Sequence, residues 1–179
     1  MKKWKRISRE RVYDHRYFKV AKDLVELPNG EQVEWLFWDS TDSTMIVAEN
    51  SDGKLVMIRQ YRYLPDEIAL EFASGGSSEG ELLEDCARRE FEEETGYEAS
   101  ELIPLGGFYE TMAQLNKKIH LFYAPNVEFK DSRDKFAEST EDIEVVLIDP
   151  SEMEADILKG EIHSMGTCLA YFLYKEFKK

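Results

Sequence analysis

The most chemically loaded stretch of this sequence is Arg89-Glu90-Phe91-Glu92-Glu93-Glu94, one cation followed by four carboxylates around a single apolar residue. Carboxylates this dense either lie on a solvated helix face or converge on a hard divalent cation. With Glu90 set at zero and about 100° per residue, Leu83, Ala87 and Phe91 fall at about +20°, +60° and +100°, and Glu94 at about +40°. Glu84, Asp85, Arg88, Glu92 and Thr95 fall on the opposite side and are expected to meet solvent. Glu90 and Glu94 therefore share the apolar side. Burying two like charges one turn apart is costly without a cation or a strong donor. Carboxylates at i and i+4 can share one Mg²⁺, whose oxygen ligands sit at about 2.0–2.1 Å. Glu93, at about −60°, could hold a second ion or orient a water. The projection alone leaves the solvated face and the metal site both standing.

Spacing separates them. Gly75 is followed after five residues by Glu81, and after seven more by Arg89-Glu90-Phe91-Glu92-Glu93-Glu94-Thr95-Gly96-Tyr97. Gly75, Glu81, Arg89, Glu90, apolar Phe91, Glu93, Glu94, Gly96 and apolar Tyr97 fill every defining position of a known pattern. The segment resembles a complete Nudix box. That resemblance implies a loop–helix–loop whose entry is shaped by Gly75-Gly76 and Gly80. It implies that Glu90 and Glu94 ligate Mg²⁺ (Mn²⁺ as a substitute) together with the Ser74 carbonyl, with Glu93 as a further ligand or water-positioning group. It also implies that Arg89 pairs with a neighbouring carboxylate and holds it in place.

The resemblance reaches beyond the box. Arg59-Gln60-Tyr61-Arg62 is similar to the strand end that precedes the box in ADP-ribose and nucleotide-sugar pyrophosphatases, which implies Arg62 facing substrate phosphates or the second sugar. The fixed donor fork of arginine suits that task. Ala69-Leu70-Glu71-Phe72-Ala73-Ser74-Gly75 resembles the family's strand into the box, with Ala73-Ser74 where Pro-Ala is usual. Glu71 is a candidate to orient Arg62 or substrate, or to form a structural salt bridge. Phe108-Tyr109-Glu110-Thr111-Met112-Ala113 lacks both prolines of the usual ADP-ribose loop, so GDP-mannose or a broader set of nucleoside-diphosphate sugars is at least as good a substrate class. Glu138-Ser139-Thr140-Glu141-Asp142-Ile143 resembles the acidic loop of this branch, and Glu141 is the first choice for the carboxylate that activates water, with Glu138 and Glu93 as alternatives. Trp35 and Trp38 are candidates to stack on the base. His120 is expected to be a packed strand histidine, and His15 and His163 have no supporting constellation.

The elements that must position these groups follow from pattern. Asn29-Gly30 between two apolar-rich runs predicts a hairpin over Asp23–Pro28 and Glu31–Asp39. Strands are expected at Thr44–Glu49, Lys54–Gln60, Ala69–Ala73, Leu102–Tyr109, Lys118–Tyr123 and Ile143–Ile148, while residues 11–20 alternate only loosely. Helices are expected at Leu82–Thr95, ended by Gly96 in a left-handed cap, and at Ser151–Lys159 and Gly166–Phe177. Strands on both sides of one central helix suggest a mixed sheet between helices rather than an alternating βαβ fold. The fold class is thus α/β, the Nudix α/β/α sandwich with a mixed sheet and an N-terminal antiparallel hairpin. Residues 1–179 are expected to form one domain, with 1–43 as N-terminal strands used for dimerisation and 44–179 as the core.

Composition bounds the partners. An apolar content of 42 % across 179 residues can fill one core. The net charge of −14 repels phosphate backbones and anionic lipid, which argues against nucleic acid and membrane. A small anionic substrate stays compatible if a bound metal supplies positive charge locally. Cys86 and Cys168 read as reduced core thiols. No long apolar stretch follows the basic start at residues 1–6, and none approaches a membrane span. The expectation is a cytoplasmic homodimer that hydrolyses the diphosphate of a nucleoside-diphosphate sugar. The rivals are a nucleoside-triphosphate or dinucleoside-polyphosphate hydrolase, a non-catalytic nucleotide-binding module on the same fold, and a structural interaction domain.

Overall fold

The computed structural model describes residues 1–131 and 142–179. Its elements in chain order are β1 (Lys5–His15), β2 (Phe18–Glu26), β3 (Gln32–Trp38), β4 (Ser43–Asn50), β5 (Leu55–Arg62), β6 (Glu67–Glu71), β7 (Ser74–Gly76), α1 (Leu83–Thr95), β8 (Tyr97–Glu98), β9 (Ile103–Tyr109), β10 (Lys118–Phe129), β11 (Ile143–Ile148), α2 (Pro150–Lys159) and α3 (Met165–Phe177). They fall into two compact units, Met1–Asp42 with Tyr109–Lys118, and Ser43–Phe108 with Ile119–Lys179.

The larger unit is built on a sheet of order β11-β5-β4-β10-β8, with β6 on β5, β7 on β4 and β9 on β10. β4 and β10 run parallel, and β4–β5 and β5–β11 antiparallel. Successive side chains leave a strand on opposite faces. Met45, Val47, Leu55, Met57, Leu121 and Tyr123 pack with Met153 of α2 and with Ala170, Tyr171 and Tyr174 of α3. Their neighbours Ile46, Ala48, Val56, Phe122 and Ala124 pack instead with Ala87 and Phe91 of α1. The sheet is mixed and lies between helices, as the strand-rich pattern around one central helix predicts. Burial on both faces is also why β4 and β5 read as continuous apolar runs.

In the smaller unit β1, β2 and β3 form an antiparallel sheet, with Glu26 opposite Gln32 across the Asn29-Gly30 turn. Gly30 takes the left-handed φ of 88° that this turn needs. The 109–118 segment is stitched to the end of β3. The Trp38 amide donates to the Gln114 carbonyl, and Asn116 bonds both the Ser40 amide and the Asp39 carboxylate.

Three expectations need correction. Thr95, placed by the helical projection on the solvent side, is fully buried, and its hydroxyl donates to the Phe91 carbonyl at 2.5 Å. The last turn of α1 is covered on the Thr95 side, where the chain continues through Gly96 into β8. β1 begins at Lys5, well before the loosely alternating 11–20 stretch. All its residues are exposed and its pairing with β2 slips at two bulges, so no period of two is written in it. β10 continues past Tyr123 to Phe129, beyond Pro125, with a register break between Ala124 and Val127. A proline inside an apolar run ordinarily ends a strand. Here the chain resumes its pairing with β4 at Val127, opposite Asn50, and adds β8 as a partner at Glu128 and Phe129. Among the described residues no helix is long and apolar enough to cross a membrane.

Candidate functional site

The site grows from the junction of β7 and α1. β7 pairs antiparallel with β4, placing Ser74, Gly75 and Gly76 opposite Met45, Thr44 and Ser43. The chain then turns so that the Glu81 amide donates to the Ser78 carbonyl while the Ser78 amide donates to Glu81 Oε2 at 2.7 Å. α1 starts without a side-chain cap and ends at Gly96, whose φ of 74° only glycine adopts cheaply. Phe91 and Ala87 anchor it to the sheet, which fixes where its carboxylates point.

Arg89 is the hub. Its Nε and Nη2 donate to the two oxygens of Glu81 at 2.9 and 3.1 Å, a bidentate pair. Its Nη1 donates to Glu90 at 2.7 Å and to Glu93 at 3.1 Å, and Nη2 also reaches the Gly76 carbonyl at 3.4 Å. The Arg89 pair and then the Ser78 amide bring the Glu81 carboxyl down to about 2, and Glu81 in turn raises the Arg89 guanidinium. Glu94 sits one turn on from Glu90 and accepts from the Ser74 amide at 2.9 Å. The Glu90 carboxylate lies so close over Gly75 that any Cβ there would overlap it. The glycine is therefore a steric requirement of that carboxylate's position. Cys86 lies beneath, buried, with its thiol 3.4 Å from the Thr44 hydroxyl, and burial pushes that thiol up.

Four carboxylates thus converge on one guanidinium and two backbone amides, those of Ser74 and Ser78. Glu81, Arg89, Glu90, Glu93, Glu94 and Ser74 are brought together. Among the described residues no group of three His, Cys, Asp or Glu side chains is already closed around a metal position. Glu141 and Glu138 lie outside the described residues.

A second pair stands on the neighbouring strands. Arg62 Nε and Nη2 both meet Glu71 Oε2, at 2.7 and 2.6 Å. This leaves Nη1 outside the pair and the arginine side chain 40 % exposed, open to an anion. Trp35 and Trp38 belong to the smaller unit. The Trp35 indole donates to the Ala113 carbonyl at 3.0 Å, and its ring meets Trp4 edge-on at 5.5 Å. Trp38 packs against Phe18 at 5.2 Å. His120 lies with its ring against Gly107, where a Cβ would clash. Cys168 is half-buried beside the α2–α3 core.

Two features escape a reading of the residues alone. Glu81 carries the bidentate contact to Arg89; the box spacing marks Glu81 as a defining position, but which neighbouring carboxylate pairs with Arg89 shows only once the loop before α1 folds back on the helix. His163 has a constellation after all: Nδ1 is 2.7 Å from Glu67 Oε2 and Nε2 is 3.1 Å from the Gly160 carbonyl. The two residues are far apart in sequence and nothing local announces the contact.

Comparison with known proteins agrees with this architecture. The model of the NUDIX domain matches residues 39–165, and that of the nucleoside diphosphate sugar hydrolase N-terminal domain matches residues 4–35. An ADP-ribose pyrophosphatase of Bacillus subtilis (strain 168) is 29 % identical over 176 residues, covering 96 % of this chain and 94 % of that protein. A GDP-mannose pyrophosphatase of Escherichia coli O1:K1 / APEC is 31 % identical over 183 residues, covering 91 % of each. Among solved structures, one described as an ADP compounds hydrolase superposes with a TM-score of 0.83 at 24 % identity, covering 99 % of this chain and 95 % of that one, a likeness of fold. With a family model spanning well over half of its length and the acidic helix folded against the glycine turn, the chain belongs to the Nudix hydrolases.

Proposed function

We propose that this protein hydrolyses the diphosphate bridge of a nucleoside-diphosphate sugar such as ADP-ribose or GDP-mannose, releasing a nucleoside monophosphate and a sugar phosphate. The supporting observation is the cluster centred on Arg89, in which Glu90 and Glu94 are aimed at the Ser74–Gly76 backbone. The activities for which these relatives are named and the match of the N-terminal segment support the substrate class.

The donor set fits a hard divalent cation. It consists of carboxylate and carbonyl oxygens, and its four negative charges exceed the single positive charge of Arg89. Glu90, Glu94 and the Ser74 carbonyl are the proposed holders of Mg²⁺, or of Mn²⁺ in its place, with Glu93 at the edge of the set. When bound, such an ion offsets the charge of the diphosphate and makes a water more acidic. Arg89 keeps Glu81, Glu90 and Glu93 from splaying apart before substrate arrives, so their geometry is set in advance. Glu141 is the proposed acceptor of the attacking water's proton, with Glu138 or Glu93 in reserve. Attack in line at one phosphorus then breaks its bond to the bridging oxygen. Arg62, steadied by Glu71, is the proposed cation for the phosphates or the second sugar, and Trp35 or Trp38 the surface for the base.

A second copy of the chain is the proposed partner of the smaller unit. β1 leaves all of its side chains exposed. Residues 1–22 hold nine Lys and Arg against two Asp and Glu, in a chain whose net charge is −14.

The test is incubation with Mg²⁺ and a panel of ADP-ribose, GDP-mannose, UDP-glucose and nucleoside triphosphates, with products identified by chromatography. Monophosphate and sugar phosphate from the sugar nucleotides support the proposal. Turnover of triphosphates alone would move the chain to another branch of the family, and turnover of none would favour a binding module.

A further inference from the structure

His163 sits in the loop between α2 and α3, far in sequence from the acidic helix. Both of its ring nitrogens face acceptors: Nδ1 the Glu67 carboxylate at 2.7 Å, and Nε2 the Gly160 carbonyl at 3.1 Å. A neutral imidazole has one N–H and can satisfy only one of them. The geometry therefore suits the doubly protonated ring. Glu67 itself stands directly opposite Arg62 in the β5–β6 register. Directly opposed residues have Cβ atoms about 4.5–5.5 Å apart and share a face of the sheet. Arg62 is thus flanked by two carboxylates, Glu71, which binds Nε and Nη2, and Glu67, whose Oε2 is engaged by His163.

We infer that His163 is a positioning residue for substrate binding: as an imidazolium it engages Glu67 and offsets its charge, so that Arg62 keeps donors for an anionic substrate. Without that cation the Arg62 neighbourhood carries two carboxylates against one guanidinium. The unpaired Glu67 would both attract Arg62 and repel a diphosphate. Glu67 raises the His163 pKa above its ordinary 6.5, with the Gly160 carbonyl adding to the effect. The other charges on that turn are arranged elsewhere, Lys159 on Asp156, and Glu161 is exposed. The imidazolium persists to a pH above the ordinary histidine value and is lost as pH rises through the raised one, so substrate affinity should fall in that alkaline direction.

The role in catalysis rests on the proposed nucleotide-sugar hydrolysis, but the first measurement does not. Imidazole titration by NMR in the resting protein should give His163 a pKa above 6.5, returning toward it in Glu67→Gln. An ordinary value in wild type would overturn the inference whatever the enzyme hydrolyses. For turnover, His163→Gln should raise KM about two- to fivefold near neutral pH, the range an exposed charge pair supports, with kcat unchanged and the wild-type rise of KM with pH abolished. Adding Glu67→Gln to His163→Gln should restore KM, because the offending carboxylate is gone. A latch that served only to hold the loop would stay broken in the double variant. KM that remained high there, or KM unmoved in His163→Gln, would reject the positioning role.

Discussion

A guanidinium carries five N–H donors in a fixed fork and can satisfy several carboxylates at once. Arg89 spends that capacity on Glu81, Glu90 and Glu93. The pairing with Glu81 has a consequence for acid stability. Because the folded carboxyl titrates at about 2 rather than 4.5, its contribution is fully present above about pH 4.5 and is lost as pH falls toward 2. Glu81→Gln should therefore be less stable than wild type at neutral pH, and the two should converge over that acid window in denaturation midpoints. A constant gap between them would remove Glu81 from the acid response. Gly75 makes the complementary statement about space. Gly75→Ala forces the Glu90 carboxylate aside, and such displacement should lower kcat by about a hundredfold with the circular dichroism spectrum intact. Steady-state assay of that variant checks it, and a wild-type rate would mean that the Glu90 position is immaterial.

At the scale of elements, α1 is held by Phe91 and Ala87 against the β4–β5–β10 face, so the acidic edge is only as fixed as that packing. Phe91→Ala should cost about 3–5 kcal/mol in urea unfolding, and a loss below about 1 kcal/mol would show that other contacts hold the helix. Helices and central strands were legible because their patterns are local: period 3.6 with a terminal glycine for α1, unbroken apolar runs for β4 and β5, Asn-Gly for the β2–β3 turn. What stayed hidden has a physical reason in each case. β1 buries no side chain, so no alternation marks it. β10 passes through Pro125. Thr95 is covered by chain that arrives only after folding. For the site, the direction of Glu90 and Glu94 can be drawn from helical geometry and the Arg62–Glu71 pair is among the expectations from sequence, whereas His163 and Glu67 lie on separate elements far apart in the chain, so only the assembled sheet and loops reveal their contact.

For the whole molecule, charge is polarised along the chain. The first 22 residues are strongly basic although the net charge is −14, and in the exposed strand β1 Arg9 pairs with Asp23 and Arg11 with Asp39. If a second copy docks on this strand, opposite charges contribute to the contact and salt weakens it. Sedimentation equilibrium should show a dimer at low ionic strength whose dissociation rises at about 1 M salt. A monomer under both conditions would remove the second copy from the proposal.

The central claim is that the carboxylates gathered at the start of β7 and along α1 carry phosphate-bridge hydrolysis. Its most direct test is ³¹P NMR of ADP-ribose and GDP-mannose incubated with Mg²⁺ and either wild-type protein or Glu94→Gln. Wild type should convert the diphosphate resonances of at least one of them into two monophosphate resonances, while Glu94→Gln, folded as judged by circular dichroism, should be slower by about a hundredfold or more. Equal rates for the two proteins would contradict the claim.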